Sequence, residues 1–230
     1  MTANANVKII LKSSKEVFSL GQPIELVVTY KNGGNSPVTL GDPAKTWEVM
    51  LTVNDLSDSL EHRLPFGKIF TETDEFGITS EFREPADDVI IEADEEYSFI
   101  PSTYAQHMNI FAPGLYILTV TDRTDDTVTK VSNDVNITIK AEQSSFHLLL
   151  SICTDEKQSI DNREFAVFWL RQYFPEFSYT VANPTSEQIA LNQKAITGAK
   201  EWWDENRDSK EIEKRILFIN TTAGVVEQSD

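Results

Sequence analysis

The sequence contains a single cysteine, Cys153, in a chain of 230 residues. One thiol cannot form a disulfide within its own chain, and structural zinc sites use several clustered cysteine and histidine ligands. Because free cysteine is among the most buried residue types, we expect Cys153 to occupy a core position.

Long apolar runs are also missing. The longest lies at residues 146–153 and is interrupted by His147 and Ser151, whereas a membrane-spanning helix needs about 20 apolar residues. We therefore predict no membrane insertion. The first residues show no basic segment followed by an apolar one, so no signal peptide is expected. A cytoplasmic location is favoured over a periplasmic or secreted one, which stays open for a chain whose signal peptide has been removed.

Positive charge is scarce. The chain has 20 lysine and arginine residues against 37 aspartate and glutamate residues, which gives a net charge of −17. Such a surface repels phosphate backbones. Nucleic acid is therefore excluded as the predicted partner, and solubility alone accounts for the acidic composition.

The residue patterns of common enzymes are absent as well. His62, His107 and His147 are far apart in the sequence, and neither a Gly-x-Ser-x-Gly turn nor a glycine-rich phosphate-binding loop is present. We predict no catalytic residues and no cofactor, and we interpret the chain as a non-enzyme.

Two acidic runs are the candidates for a metal site. Asp94–Glu96 and Asp122–Asp126 supply oxygen ligands of the kind that calcium takes. Neither run has the alternating acids, the central glycine and the distant glutamate of an EF-hand. We interpret both as solvated turns and predict no metal site.

The first 140 residues alternate apolar and polar side chains. Ile24, Leu26, Val28 and Tyr30 fall on one face of a single segment, which is the period of two that a half-buried strand requires. Similar segments recur, separated by glycine, proline and asparagine. At least seven short strands are predicted, and this spacing is typical of an antiparallel sandwich with Greek-key connections.

After these strands the apolar spacing changes to three and four residues. Asn162–Phe174 places Phe165, Phe168, Trp169 and Tyr173 on one stripe of a helix. Two further helices are predicted at residues 186–205 and 209–218, and the tail at residues 220–230 is expected to be loose.

Three segments of the first part carry a family resemblance. They are FSLGQPIELVVTYKNGGNSPVTL (18–40), TWEVMLTV (46–53) and APGLYILTVTD (112–122). Their G-x-P-I-x-L-x-V strand, Asn-rich turn and P-G-x-Y turn resemble bacterial immunoglobulin-like domains of the intracellular proteinase inhibitor type. The resemblance implies an immunoglobulin-like β-sandwich, and no residues of an inhibitory loop can be matched.

Two segments of the second part carry a second family resemblance. NREFAVFWLRQYF (162–174) and LNQKAITGAKEWWDENRDS (191–209) resemble a divergent HEAT-like helical hairpin, with Arg163 and Ala166 at the usual polar and small positions. One or two such repeats are fewer than the three or so that a stable solenoid needs. We therefore expect the helices to pack against the sandwich, against a partner or against a second copy of themselves.

These patterns together predict the fold class and the domains. The fold class is an all-β sandwich, immunoglobulin-like with a Greek key, plus a small C-terminal α-helical segment. The domains are 1–142, the sandwich, and 143–230, a helical hairpin of two or three helices with a loose C-terminal tail.

The four tryptophans supply the only candidate binding residues. Trp47 and Trp169 are expected in core contacts, together with one of Trp202 and Trp203. Adjacent residues on a helix point about 100° apart, so both indoles are buried only under a wide contact. Because tryptophan is enriched at protein interfaces, we name Trp202 and Trp203 as the candidate interaction surface.

The predicted function is non-catalytic protein–protein interaction or scaffolding, with an unidentified protein partner or a second copy in a homodimer. Two alternatives stay open. One is a proteinase inhibitor that acts through an exposed sandwich loop, and the other is a hydrolase with a site assembled from scattered residues between the two parts.

Overall fold

The computed structural model describes residues 6–46, 48–56, 60–66, 69–73, 79–83, 87–101, 111–125 and 128–225. Trp47 and His107 lie outside these ranges, so the expectations for these two residues are not addressed by it.

The chain forms two compact units. The strand unit comprises residues 1–16, 24–104 and 116–137, and the helical unit comprises residues 17–23, 105–115 and 138–230. A single boundary after residue 142 was predicted, whereas each unit here is assembled from three segments of the chain.

Thirteen strands lie in the described part of the chain. They are β1 (Val7–Ser13), β2 (Val17–Ser19), β3 (Leu26–Asn32), β4 (Val38–Gly41), β5 (Val49–Asp55), β6 (Glu61–Pro65), β7 (Ile69–Thr73), β8 (Thr79–Arg83), β9 (Asp88–Ile91), β10 (Glu96–Phe99), β11 (Gly114–Asp125), β12 (Val128–Val131) and β13 (Val135–Lys140).

One sheet of the strand unit has the antiparallel order β1-β3-β10. Its central strand β3 buries Leu26, Val28 and Tyr30 and turns Val27 and Lys31 to solvent. This alternation follows from one buried and one solvated face, and it is the pattern that the sequence shows.

A larger sheet contains the order β13-β11-β5-β6, with β12 paired to β11. Leu118 lies opposite Val53 and Val120 opposite Leu51 across the β11–β5 ladder, and all four side chains are buried. Because side chains alternate along a strand, the intervening residues of β5 and β11 point to the opposite face. Two further antiparallel pairs, β4–β9 and β7–β8, complete the strand unit.

Two polar side chains lie in the core of the strand unit. Tyr30 is fully buried, and Asp122 is 2% exposed. The Tyr30 hydroxyl forms no hydrogen bond of ordinary geometry with the described residues, while Asp122 Oδ1 accepts hydrogen bonds from the Thr124 amide (2.9 Å) and hydroxyl (2.7 Å). Burial, and after it the negative charge of Asp122, raises the pKa of Tyr30, so the phenol stays protonated.

The helical unit contains four helices within its described residues. They are α1 (Gln143–Thr154), α2 (Ile160–Tyr173), α3 (Ser186–Asn206) and α4 (Lys210–Thr222). Ser159, Thr185 and Ser209 cap α2, α3 and α4, because each side chain accepts a hydrogen bond from a backbone amide of the first turn. The short strand β2 adds in parallel to the end of β13 at residues 138–140.

Stacked aromatic rings form the core of the helical unit. The Trp203 indole of α3 lies parallel to the Phe146 ring of α1, with centroids 4.3 Å apart and an angle of 3°. The Tyr173 ring of α2 meets both edge-on at 6.2 and 5.8 Å. Tyr173 also donates a hydrogen bond to the Glu142 carbonyl at 2.9 Å. Three helices are thus joined through one cluster.

The predicted all-β sandwich with a small C-terminal helical segment is wrong. The protein is a mixed α and β fold, with helices of 12, 14, 21 and 13 residues in its described part and with a parallel pair, β2–β13, besides the antiparallel pairs. The residue pattern does not predict the helix α1. Its buried residues lie on one face at helical spacing, but a short apolar run cannot be told from a buried strand by periodicity alone.

Asparagine side chains take the place of backbone partners in both units. Asn220 accepts from the Ala141 amide (2.8 Å) and donates to the Ala141 carbonyl (3.0 Å), and Asn192 does the same with Thr180. In the strand unit Asn133 pairs in this way with Leu11. Each amide satisfies two backbone groups that would otherwise lack partners.

Candidate functional site

The two predicted interaction residues occupy different environments. Trp203 is 1% exposed and belongs to the aromatic core, so its side chain is not available to a partner. Trp202 is half-buried and stacks on the Phe174 ring at 4.7 Å. Only Trp202 presents part of its surface to solvent.

Three aromatic side chains of α2 form a more exposed surface, the α2 aromatic patch: Phe165, Phe168 and Trp169. The Phe165 and Trp169 rings are 6.2 Å apart, and the Phe168 and Trp169 rings meet edge-on at 5.2 Å. Phe168 is 55% exposed, and the other two are half-buried. The patch is continuous because its members are three and four residues apart on one helix.

The inward face of α2 explains why these rings lie outside the core. Ala166, Val167, Leu170 and Tyr173 are the apolar side chains that this helix buries. With this set turned inward, the 100° step per residue leaves the three larger rings at the margin or on the surface. The predicted stripe of Phe165, Phe168, Trp169 and Tyr173 is therefore not the buried face.

Hydrogen bonds from two arginine side chains to backbone carbonyls hold α2 in place. Arg163 Nε donates to the Cys153 carbonyl at 3.0 Å, and Arg171 Nε donates to the Phe177 carbonyl at 3.0 Å. A patch on a fixed helix loses little conformational entropy when a partner binds. Asp161 and Glu164 are exposed on the same helix, one turn before Phe165 and Phe168, so the patch has an acidic border.

The strand unit carries a second surface, the sheet-face groove. It lies on the outward face of β5, β6 and β11 and has a volume of about 230 Å³. Its lining residues are Met50, Thr52, Asn54, Glu61, Arg63, Thr119, Thr121 and Arg123. None of them was singled out from the sequence, although the signal was present in the polar residues that alternate with the buried ones.

The buried thiol carries no sign of reactivity. Burial raises the pKa of Cys153 to about 12, and the nearby Arg163 guanidinium opposes this rise only in part. Thiolate is the reactive form of cysteine. The core position expected for this residue is observed.

The histidines and acidic runs form no recognisable centre within the described residues. His62 is half-buried on β6 and His147 is exposed on α1, and neither is hydrogen-bonded to a described carboxylate. Among these residues there is no group of three or more histidine, cysteine or acidic side chains placed to hold a metal ion. Asp122 of the second acidic run faces the core, while Asp126 lies outside the described ranges.

No helix in the described part of the chain combines the length and the apolar character that a bilayer crossing requires.

No family model and no curated protein matches the chain. Among solved structures, the sporulation control protein Spo0M from Bacillus subtilis aligns over 64% of this chain and 54% of its own, at 13% identity and a TM-score of 0.33. The Pseudomonas fluorescens alkylpurine DNA glycosylase AlkC, bound to DNA with an abasic site analog, aligns over 59% and 31%, at 14% identity and a TM-score of 0.30.

A β-glucosidase from Listeria innocua in complex with glucose aligns over 57% of this chain and 16% of its own, at 17% identity and a TM-score of 0.29. The chain thus spans less than two thirds of each of these proteins. Likenesses of this size carry no argument about fold or function.

Proposed function

We propose that this chain is a non-catalytic protein-binding protein and that its partner docks on the α2 aromatic patch. The observation that supports the proposal is the exposure of Phe168, 55% of whose surface is open, within a continuous group of three rings. Single exposed apolar residues are ordinary, but contiguous aromatic groups on a fixed helix are typical of interfaces.

The border of the patch suggests the chemistry of the partner. Asp161 and Glu164 are exposed beside the rings, and the chain as a whole carries a net charge of −17. A partner surface that is apolar at its centre and basic at its rim complements this arrangement, because charge complementarity favours encounter and register.

The test compares three immobilised forms of the chain: wild type, Phe168→Asp and Ile189→Asp. Ile189 is a matched control, since it is 57% exposed on α3 and is not part of the α2 aromatic patch. Proteins retained from a lysate are quantified by mass spectrometry, and each partner found in this way is purified and titrated against the three forms. Circular dichroism confirms that all three are folded.

We expect Phe168→Asp to weaken the purified complex at least about tenfold, because removing a central aromatic contact costs about 2 kcal/mol or more. Ile189→Asp should leave the affinity unchanged. Equal binding by all three forms would contradict the proposal. A second copy as the partner is recognised by sedimentation velocity, in which Phe168→Asp should shift a concentration-dependent dimer to monomer.

A further inference from the structure

The sheet-face groove lies where only side chains are available for binding. Strand β5 is paired with β11 on one side and β6 on the other, and β11 lies between β13 and β5. The backbone groups of both strands are therefore engaged in the sheet. A ligand in the groove meets the hydroxyl, amide and guanidinium groups that project from the outward face.

The register places these groups in rows. Thr119, Thr52 and Arg63 lie opposite one another across the three strands, and Thr121 lies opposite Met50. Arg123 stands two residues further along β11. From strand spacings of about 4.8 Å and a rise of about 3.4 Å per residue, the Cα atoms of Arg63 and Arg123 are roughly 17 Å apart.

The charged groups of the groove differ in their hydrogen bonding. Arg63 Nε donates to Glu61 Oε1 at 2.6 Å, so these two side chains are paired. The Asp134 carboxylate beside the groove accepts from the Thr119 hydroxyl at 2.9 Å. Arg123 is exposed, and within the described residues its guanidinium takes part in no hydrogen bond or ion pair. Among the described charged groups of the groove, the one that remains unpaired is thus a cation.

Three neutral side chains of the groove are also available to a ligand. Thr52, Asn54 and Thr121 are half-buried, and their side chains make no hydrogen bond with the described residues. Hydroxyl and amide groups both donate and accept. They therefore match a ligand that is itself rich in hydroxyl groups.

We propose that the groove binds a sugar acid, a carbohydrate that carries a carboxylate. Arg123 takes the carboxylate through two parallel N–H donors, which is the geometry that a guanidinium offers to planar oxyanions. Thr52, Asn54 and Thr121 bind the ring hydroxyls, and the Arg63–Glu61 pair supplies a donor and an acceptor at the far end.

A peptide with a free C-terminus is the competing ligand. Its backbone amides and carbonyls need regularly spaced partners, which proteins provide at an exposed sheet edge by strand addition. The groove lies on the face of paired strands and offers discrete side-chain groups instead. Neutral sugars are disfavoured, because no aromatic ring is among the residues that line the groove.

The experiment titrates the full chain with trigalacturonic acid, with neutral maltotriose and with trialanine that has a free carboxylate. Binding is followed by calorimetry and by amide chemical shifts in NMR spectra. We expect saturable binding of trigalacturonic acid with shifts at Thr52, Thr121 and Arg123, and at least tenfold weaker binding of the other two probes.

Variants test the roles of the charged groups. Arg123→Met should weaken trigalacturonic acid at least tenfold, while Arg207→Met, which removes an arginine of similar exposure in the helical unit, should change nothing. Glu61→Gln should tighten binding severalfold, because it removes a like charge and frees Arg63.

The proposal is overturned by any of three results: no saturable binding of trigalacturonic acid, unchanged binding by Arg123→Met, or binding of trialanine as tight as that of the sugar acid. These outcomes are independent of the α2 aromatic patch, since the groove and the patch share no residue.

Discussion

The two units of this protein build their cores in different ways. In the strand unit the core is spread over many aliphatic side chains, such as Leu51, Val53, Leu118 and Val120, that alternate along paired strands. In the helical unit, Phe146, Tyr173 and Trp203 concentrate the contacts between three helices in one stack of rings. A distributed core tolerates the loss of one side chain better than a core that depends on a single cluster.

Removal of the central indole should have the largest effect. Trp203→Ala deletes a buried ring that touches two helices, and we expect it to reduce the free energy of unfolding by about 4–5 kcal/mol, near the upper end for aromatic truncations. Urea denaturation followed by circular dichroism measures the change. Trp202→Ala is the matched control, and since its ring is half-buried we expect a loss of only about 1–2 kcal/mol.

Equal losses for the two tryptophan variants would contradict the concentrated core. Such a result would mean that the stack on Phe174 holds the helices as firmly as the stack on Phe146.

The strand unit should respond less to its own central truncation. Leu118→Ala removes a fully buried side chain of β11, and we expect a loss of about 3 kcal/mol, within the range for buried leucine. Hydrogen exchange of amides in both units locates the loss. If Leu118→Ala costs more than Trp203→Ala, the comparison between the two cores is reversed.

Hydrogen bonds from asparagine side chains to the backbone should contribute more to stability where they are buried. Asn220→Ala leaves the buried amide and carbonyl of Ala141 without their side-chain partner. Each such group costs at least about 1 kcal/mol, so we expect a loss of at least about 2 kcal/mol. Asn133→Ala exposes the equivalent groups of Leu11 at a site where Asn133 itself faces solvent, and water replaces the lost contacts.

We therefore expect Asn133→Ala to reduce the free energy of unfolding by less than about 1 kcal/mol, because a solvated backbone group that loses its partner forms a hydrogen bond with water instead. Both variants are measured by urea denaturation at the same pH. A cost for Asn133→Ala that matches that of Asn220→Ala would show that burial does not set the value of these contacts.

Local pattern revealed much of the secondary structure and little of its orientation. Helix α3 begins at Ser186 as the sequence indicates and ends one residue beyond the predicted end, because its capping residues and period are both local signals. The buried face of α2 could not be derived in this way. Large rings were assigned to the core, whereas the packing uses Ala166 and Leu170 and leaves Phe168 outside.

The candidate sites depended on contacts that no local pattern encodes. Trp202 and Trp203 are adjacent in the sequence, and Trp203 is the buried one because Phe146 and Tyr173 pack against it. Asn220 and Ala141 are 79 residues apart, so their pairing is invisible to periodicity. The sheet-face groove likewise requires the register of three strands.

Alkaline pH should weaken both units through a buried thiol and a half-buried phenol that are neutral in the folded state. Burial raises the pKa of Cys153 in the helical unit from 9.0 to about 12. Burial and a hydrogen bond to Asp42 raise the pKa of Tyr97 in the strand unit from 10.0 to about 12. A raised pKa stabilises the fold below the unfolded value, and this stability is lost as the pH rises through the folded value.

We therefore expect the free energy of unfolding to fall from about pH 9 for the thiol and from about pH 10 for the phenol, both up to about pH 12. Denaturation curves at several pH values measure this fall. Cys153→Ala should flatten the curve between pH 9 and 10 and reduce its slope from pH 10 to about pH 12, where the contribution of the phenol remains. An unchanged slope in that variant would remove the thiol as the cause.

The smallest effect is expected at Tyr30, where the strand unit carries a polar atom without a hydrogen-bond partner of ordinary geometry. Tyr30→Phe deletes a hydroxyl whose desolvation is not offset, and it leaves the hydrogen bonds between the Asp122 carboxylate and Thr124 intact. We expect a change within about 1 kcal/mol, and of either sign, because the cost of burying a polar atom is about as large as the stabilisation from a weak contact.

Tyr173→Phe is the matched change in the helical unit. There the hydroxyl donates to the Glu142 carbonyl, so its loss should destabilise by about 1–2 kcal/mol. A larger loss at Tyr30 than at Tyr173 would mean that the Asp122 contact acts as a strong hydrogen bond, and the polar pair would then be a structural centre of the strand unit in the way that the ring stack is for the helical unit.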